Sequence, residues 1–164
     1  MTVLELKQKI KRAILEALTS LEEEIQAAAK SAHDGATHED AVAKSKYDTH
    51  GLELSYLASS QMERLSRLKS EIVKFKQTEM RSSSSDISAK QYDLVRWQNN
   101  KGQIKIVFLS KIGAGLTLAV KNDLKLSVVS PESPLGEALL GLSVQDEVYL
   151  NDDEEPAGVI LAIE

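Results

Sequence analysis

From Ile14 the apolar residues Leu18, Leu21, Ile25, Ala28 and Ala32 follow at steps of four and three, a spacing that confines them to one narrow stripe along a helix. Leu6 and Ile10 carry the stripe back toward the N-terminus. A second series with the same steps runs through Tyr47, Gly51, Leu54, Ala58, Gln61, Leu65, Leu68, Ile72 and Phe75. A stripe this narrow is covered by another stripe, not by a broad core, so the two series are expected to pack on each other. Folding the chain back pairs Ile25 with Tyr47, Leu21 with Gly51, Leu18 with Leu54 and Ile14 with Ala58 in one register. The pattern predicts an antiparallel two-helix coiled coil over residues 1–81.

Helix-end signals agree with that reading. Thr2 with Glu5 has the spacing of a capping box, Gly35 suits the left-handed residue after a last turn, and Thr37 with Asp40 suits a second cap. These signals predict a short turn and an acidic tip over 33–40, carrying Asp34, Glu39 and Asp40. With about 1.5 Å of rise per residue, helices of roughly thirty residues make an arm on the order of 45 Å long. Charge divides along it. Residues 13–63 hold ten acids against Lys30, Lys44 and Lys46, whereas residues 1–12 and 64–81 together hold ten basic groups against Glu5, Glu71 and Glu79. One reading is plain solvation of helix faces. The other is a basic end for polymer phosphate and an acidic end for a cation.

Beyond the arm the periodicity changes. Residues 82–102 read as a linker that opens on four serines, with 87–101 a short helix or irregular connector containing Tyr92, Val95 and Trp97. From residue 103 to 164 the pattern is that of strands: 104–109, 116–120, 124–129, 146–150 and 157–163, with turns at Gly113-Ala114-Gly115, Asn122-Asp123 and Asn151-Asp152. Ser133 and Pro134 suit the cap and first position of a short helix that Gly141 stops. The fold class is therefore α+β: a helical hairpin followed by a small antiparallel sheet with one helix.

Composition narrows the chemistry. With 42% hydrophobic and 27% charged residues the chain has the make-up of a soluble protein, and without cysteine it has no disulfide framework and no thiolate metal site. The first seven residues lack a charged-then-apolar leader pattern, and no apolar run approaches the ~18 residues of a membrane span. A cytoplasmic protein with no membrane partner is expected. His33 and His38 flank the acidic residues without the spacing of a zinc site, and read as solvent-facing. Gly113-Ala114-Gly115 reads as a hairpin turn, Asp48 and Glu53 as helix-surface residues, and Lys101, Lys105, Lys111, Lys121 and Lys125 either as a basic strip on the sheet or as alternating strand lysines that face water.

The stretch Val128-Val129-Ser130-Pro131-Glu132-Ser133-Pro134-Leu135-Gly136-Glu137-Ala138-Leu139-Leu140-Gly141, followed by Asp146-Glu147-Val148, resembles the C-terminal domain of the Gre family of bacterial transcription elongation factors. The arm and the sheet region also match that family in order and approximate size. The resemblance implies an FKBP-like C-terminal domain that docks on RNA polymerase at its secondary channel, with Ser133, Pro134 and Leu135 as candidate contacts. It also implies an arm whose tip carboxylates, here Glu39, Asp40 and Asp34, act at the polymerase's own centre, with Glu39 and Asp40 sharing a Mg²⁺ ion. The protein would then be a monomer and no enzyme by itself, stimulating cleavage of backtracked RNA at its 3′ end. Gre factors typically carry an aspartate, two residues, then glutamate-asparagine at the tip, and that string is absent here. The alternative is a non-cleaving Gre-like regulator or inhibitor that occupies the same channel. The FKBP-like fold also suggests a prolyl isomerase, against which residues 103–164 offer few aromatic walls, Phe108 and Tyr149 alone.

Overall fold

The computed structural model describes residues 2–37, 50–81, 88–119, 125–150 and 154–164. They fall into two compact units, one of Leu15–Gln77 and the other of Met1–Ile14 with Thr78–Glu164.

The first unit holds most of α1 (Val3–Thr37) and all of α2 (His50–Gln77). The predicted stripes are the buried ones: Leu18, Ile25 and Ala32 on α1, and Ala58, Leu65, Leu68, Ile72 and Phe75 on α2. One position moves, since Ala29 is buried in place of Ala28. Ala27, Ala28 and Ala29 are equally apolar, so the pattern had no means of choosing the face.

The register differs from the expected one. A Cβ on Gly35 would lie 3.2 Å from Leu54 Cδ1, and Lys69 Nζ lies 3.6 Å from Glu22 Oε1. Both pairs are centred near residue 45, where the predicted pairing of Ile25 with Tyr47 and Leu18 with Leu54 centres on 36. The predicted short turn at Gly35 is therefore corrected. Gly35 and Thr37 are helical, and Thr37 is the last residue of α1, not the cap of α2. Its hydroxyl donates back to the carbonyls of His33 (3.1 Å) and Asp34 (3.2 Å), a local bond to the preceding turn. Heptad spacing repeats, so several registers satisfy it equally.

The second unit is built on a six-stranded sheet in the order β3-β4-β2-β1-β6-β5. The strands are β1 (Leu94–Asn99), β2 (Ile104–Leu109), β3 (Thr117–Ala119), β4 (Lys125–Val129), β5 (Glu147–Val148) and β6 (Gly158–Ile163). Two expectations are corrected. The stretch read as linker and connector contains β1, which pairs with both β2 and β6. The sheet is mixed, because β4 runs parallel to β2. After β2 the chain passes to the edge as β3 and returns as β4, so β3 takes the antiparallel pairing.

Alternation along the strands gives the sheet two apolar faces. Val95, Trp97, Val107, Leu109, Val148 and Ile160 form one core cluster with Ala89 and with Leu139 of α3 (Pro134–Leu139). On the other face Leu94, Phe108, Leu126 and Val128 are buried, and the α1 segment of this unit supplies buried Ile10 and Ile14. The predicted capping box starts that segment: Thr2 N donates to Glu5 Oε2 (2.7 Å) and Glu5 N to Thr2 Oγ1 (3.2 Å). Lys7, and not Leu6, continues the buried stripe, at 1% exposure. Its ammonium meets Asp93 Oδ1 at 3.1 Å, and Asp93 Oδ2 accepts from Lys90 N at 3.0 Å. Among the described residues no helix is long and apolar enough to cross a membrane.

Candidate functional site

The arm's candidate carboxylates separate once placed on the structure. Asp34 is exposed in the last turn of α1. By the register it lies level with Tyr56, six residues and so roughly 9 Å along α2 from His50. It is a residue on the flank of the hairpin, and no basic residue shares its last turn. A carboxylate there opposes the helix dipole by a few tenths of a kcal/mol, so helix stability does not explain it. Glu39 and Asp40 lie outside the described residues, as do His38, Lys44, Tyr47 and Asp48. Among the described residues no three His, Asp or Glu side chains come together as a metal site, and Asp34 alone does not make one.

The Ser-Pro-Leu-Gly signature forms a tight corner at the start of α3. Ser133 caps the helix, its hydroxyl accepting from Gly136 N (3.1 Å) and donating to the Ser130 carbonyl (2.7 Å). Pro134 takes the first helical position, where a missing N–H costs nothing. Gly136 is required by space: a Cβ there would sit 1.9 Å from Ser130 O. Pro134 is exposed, Ser133 and Leu135 are half-buried, and Leu135 packs against the core cluster. Lys111 Nζ pairs with Glu132 Oε1 at 2.8 Å beside this corner. Each residue of the signature thus has a structural role, and the corner still presents Glu132 and Pro134 to solvent.

A third locus is a cleft on the sheet that holds two lysines of the expected basic strip. Its volume is about 820 Å³, and it opens over β1, β2 and β4, lined by Trp97, Ile104, Lys105, Lys125, Ser127 and Leu135 among others. Trp97 is 7% exposed, and its Nε1 is the buried side-chain nitrogen or oxygen left without an acceptor among the described residues. Such an orphan donor costs about 1 to 3 kcal/mol. The basic strip expected from five lysines contracts to two here. Lys111 is paired with Glu132, Lys121 lies outside the described residues, and Lys101 sits in the β1–β2 turn.

These loci belong to an α+β chain made of a two-helix hairpin unit and a mixed-sheet unit with one capped helix. No protein-family model matches the chain and no curated protein matches it. Among solved structures it is similar to the GreA factor homologue Gfh1 of Thermus thermophilus, at 20% identity over 92% of this chain and 94% of that one, with a TM-score of 0.32. It is also similar to a second structure described as the transcription factor Gfh1 (20% identity, 99% and 95% covered, TM-score 0.37). Gfh1 of Thermus aquaticus follows at 19% identity, 93% and 92% covered, and a TM-score of 0.34.

Proposed function

We propose that this protein is an accessory factor of bacterial RNA polymerase: the sheet unit docks at the rim of the secondary channel and the hairpin carries its linking segment toward the catalytic centre. The observation that carries this reading is the hairpin register, which makes residues 38–49 the segment that joins the two paired helices. That segment contains Glu39, Asp40 and Asp48. The Ser133-Pro134-Leu135 corner, rigidly capped yet exposed at Pro134, supports a docking role for the sheet unit. In this reading Glu39 and Asp40 bring carboxylate oxygens to the polymerase's own centre, chemistry suited to a hard cation such as Mg²⁺ and to orienting a water for attack on RNA. The protein then stimulates cleavage of backtracked transcripts and catalyses nothing alone.

The same register favours a second reading. Its centre near residue 45 falls between Lys44 and Lys46, so the middle of the linking segment is basic and its acids are displaced to either side. A cation at that position repels a metal ion, which fits a non-cleaving occupant of the channel that obstructs nucleotide entry. The test is to incubate the protein with backtracked elongation complexes and magnesium. Short 3′ RNA products that vanish in Glu39→Ala/Asp40→Ala, with polymerase binding retained, establish the cleaving factor. Binding and slowed nucleotide addition without products establish the inhibitor. No binding to polymerase refutes both.

A further inference from the structure

We infer that the cleft over β1, β2 and β4 is a docking site for an extended acidic peptide segment, recognised by Lys105 and Lys125 at its rim and by Trp97 in its wall. In the parallel pairing of β2 with β4, Ile106 stands beside Leu126, so Lys105 stands beside Lys125 one position earlier. Adjacent strands are about 4.8 Å apart. The two exposed lysines therefore leave neighbouring backbone positions on one face of the sheet, and both line the cleft. Neither makes an ion pair among the described residues. Like charges side by side on a sheet oppose folding, and an anion bridging them relieves that repulsion.

Trp97 is the cross-strand partner of Lys105, which places the indole on the same face. Its N–H is buried without an acceptor, so the indole serves the cleft as an apolar wall and not as a donor to a ligand. Half-exposed Ile104 and half-buried Leu135 add apolar walls. Carboxylates spaced by apolar residues meet both the paired cations and the apolar walls. A nucleic acid fits less well, because two cations neutralise few phosphates and the chain as a whole carries a charge of -5. This inference does not depend on the polymerase reading.

The probe is a fluorescein-labelled, end-blocked hexapeptide of alternating glutamate and leucine, titrated with the full chain and followed by anisotropy. Trp97, the single tryptophan in the sequence, reports the same event through its own emission. Saturable binding is expected, with a shift of the indole emission. Lys105→Gln/Lys125→Gln should weaken it about tenfold. Circular dichroism confirms that the double variant, whose replaced side chains are exposed, is folded. The inference is overturned by absence of saturable binding, by equal affinity for the lysine-leucine hexapeptide, or by unchanged affinity in the double lysine variant. Tighter lysine-dependent binding of an all-thymidine oligonucleotide would also overturn it, by assigning the cleft to nucleic acid.

Discussion

Asp93 is held from three sides of its local structure: its carboxylate accepts from Lys7 Nζ and Lys90 N, and its own N–H donates to the Lys90 carbonyl at 3.1 Å. Burial of both partners makes the pair costly to break from one side only. Lys7→Met or Asp93→Asn should lower the unfolding free energy by about 3 to 5 kcal/mol, and the double variant Lys7→Met/Asp93→Leu by less than either alone. Urea denaturation followed by circular dichroism measures this. Tyr149 shows the opposite, exposed situation. Its hydroxyl donates to Glu147 Oε2 at 2.7 Å, and that hydrogen bond, with a little desolvation and the nearby negative charge, raises the phenol above 10.0. The bond is present while the phenol is protonated and is lost as pH rises through the raised value. Glu147→Gln should therefore shift the Tyr149 titration downward, as read by NMR of its ring protons. Ser133, Pro134 and Gly141 could be placed from local spacing, because each acts on backbone within a few residues. Lys7 could not, since its acid lies 86 residues away.

Among the elements, α2 shows how far a pattern reaches. Gly51, Leu54, Ala58, Gln61, Leu65, Leu68, Ile72 and Phe75 are all buried or half-buried, as their spacing predicts. Spacing fixes the face of each helix but not the sliding of one past the other, which specific pairs decide. In the cysteine-free chain, Gly35→Cys/Leu54→Cys should join efficiently through a short bifunctional thiol reagent, whereas Leu18→Cys/Leu54→Cys should not. The reverse pattern would restore the register centred on 36. β1 escaped detection for a related reason. Its Gln98-Asn99 end looks like a loop, yet Asn99 Oδ1 accepts from Lys101 N and Gln103 N and so folds the tight turn into β2. The signal was Asn99-Asn100-Lys101-Gly102 between two apolar stretches, a hairpin pattern. For α3, Gly136→Ala should destabilise by about 1 to 3 kcal/mol through overpacking against the Ser130 carbonyl. Thermal unfolding measures that loss.

For the whole molecule, the chain order of hairpin then sheet is legible from the change of period near residue 82. The candidate site is legible in composition only, because acids cluster in sequence while register decides which of them lie between the helices. That register leaves Asp34 on the flank and puts Glu39, Asp40, Lys44 and Lys46 in the linking segment, where a cleaving and an obstructing factor differ in local charge but share one mode of delivery. Delivery is the claim on which both readings rest. A single cysteine replacing Ser45, in a chain with none of its own, takes an iron chelate that cuts nucleic acid nearby. In backtracked polymerase complexes this derivative should cut the transcript close to its 3′ end, while a chelate on Leu161→Cys in β6 should leave it intact. Transcript cutting from position 161 and none from position 45 would contradict the account.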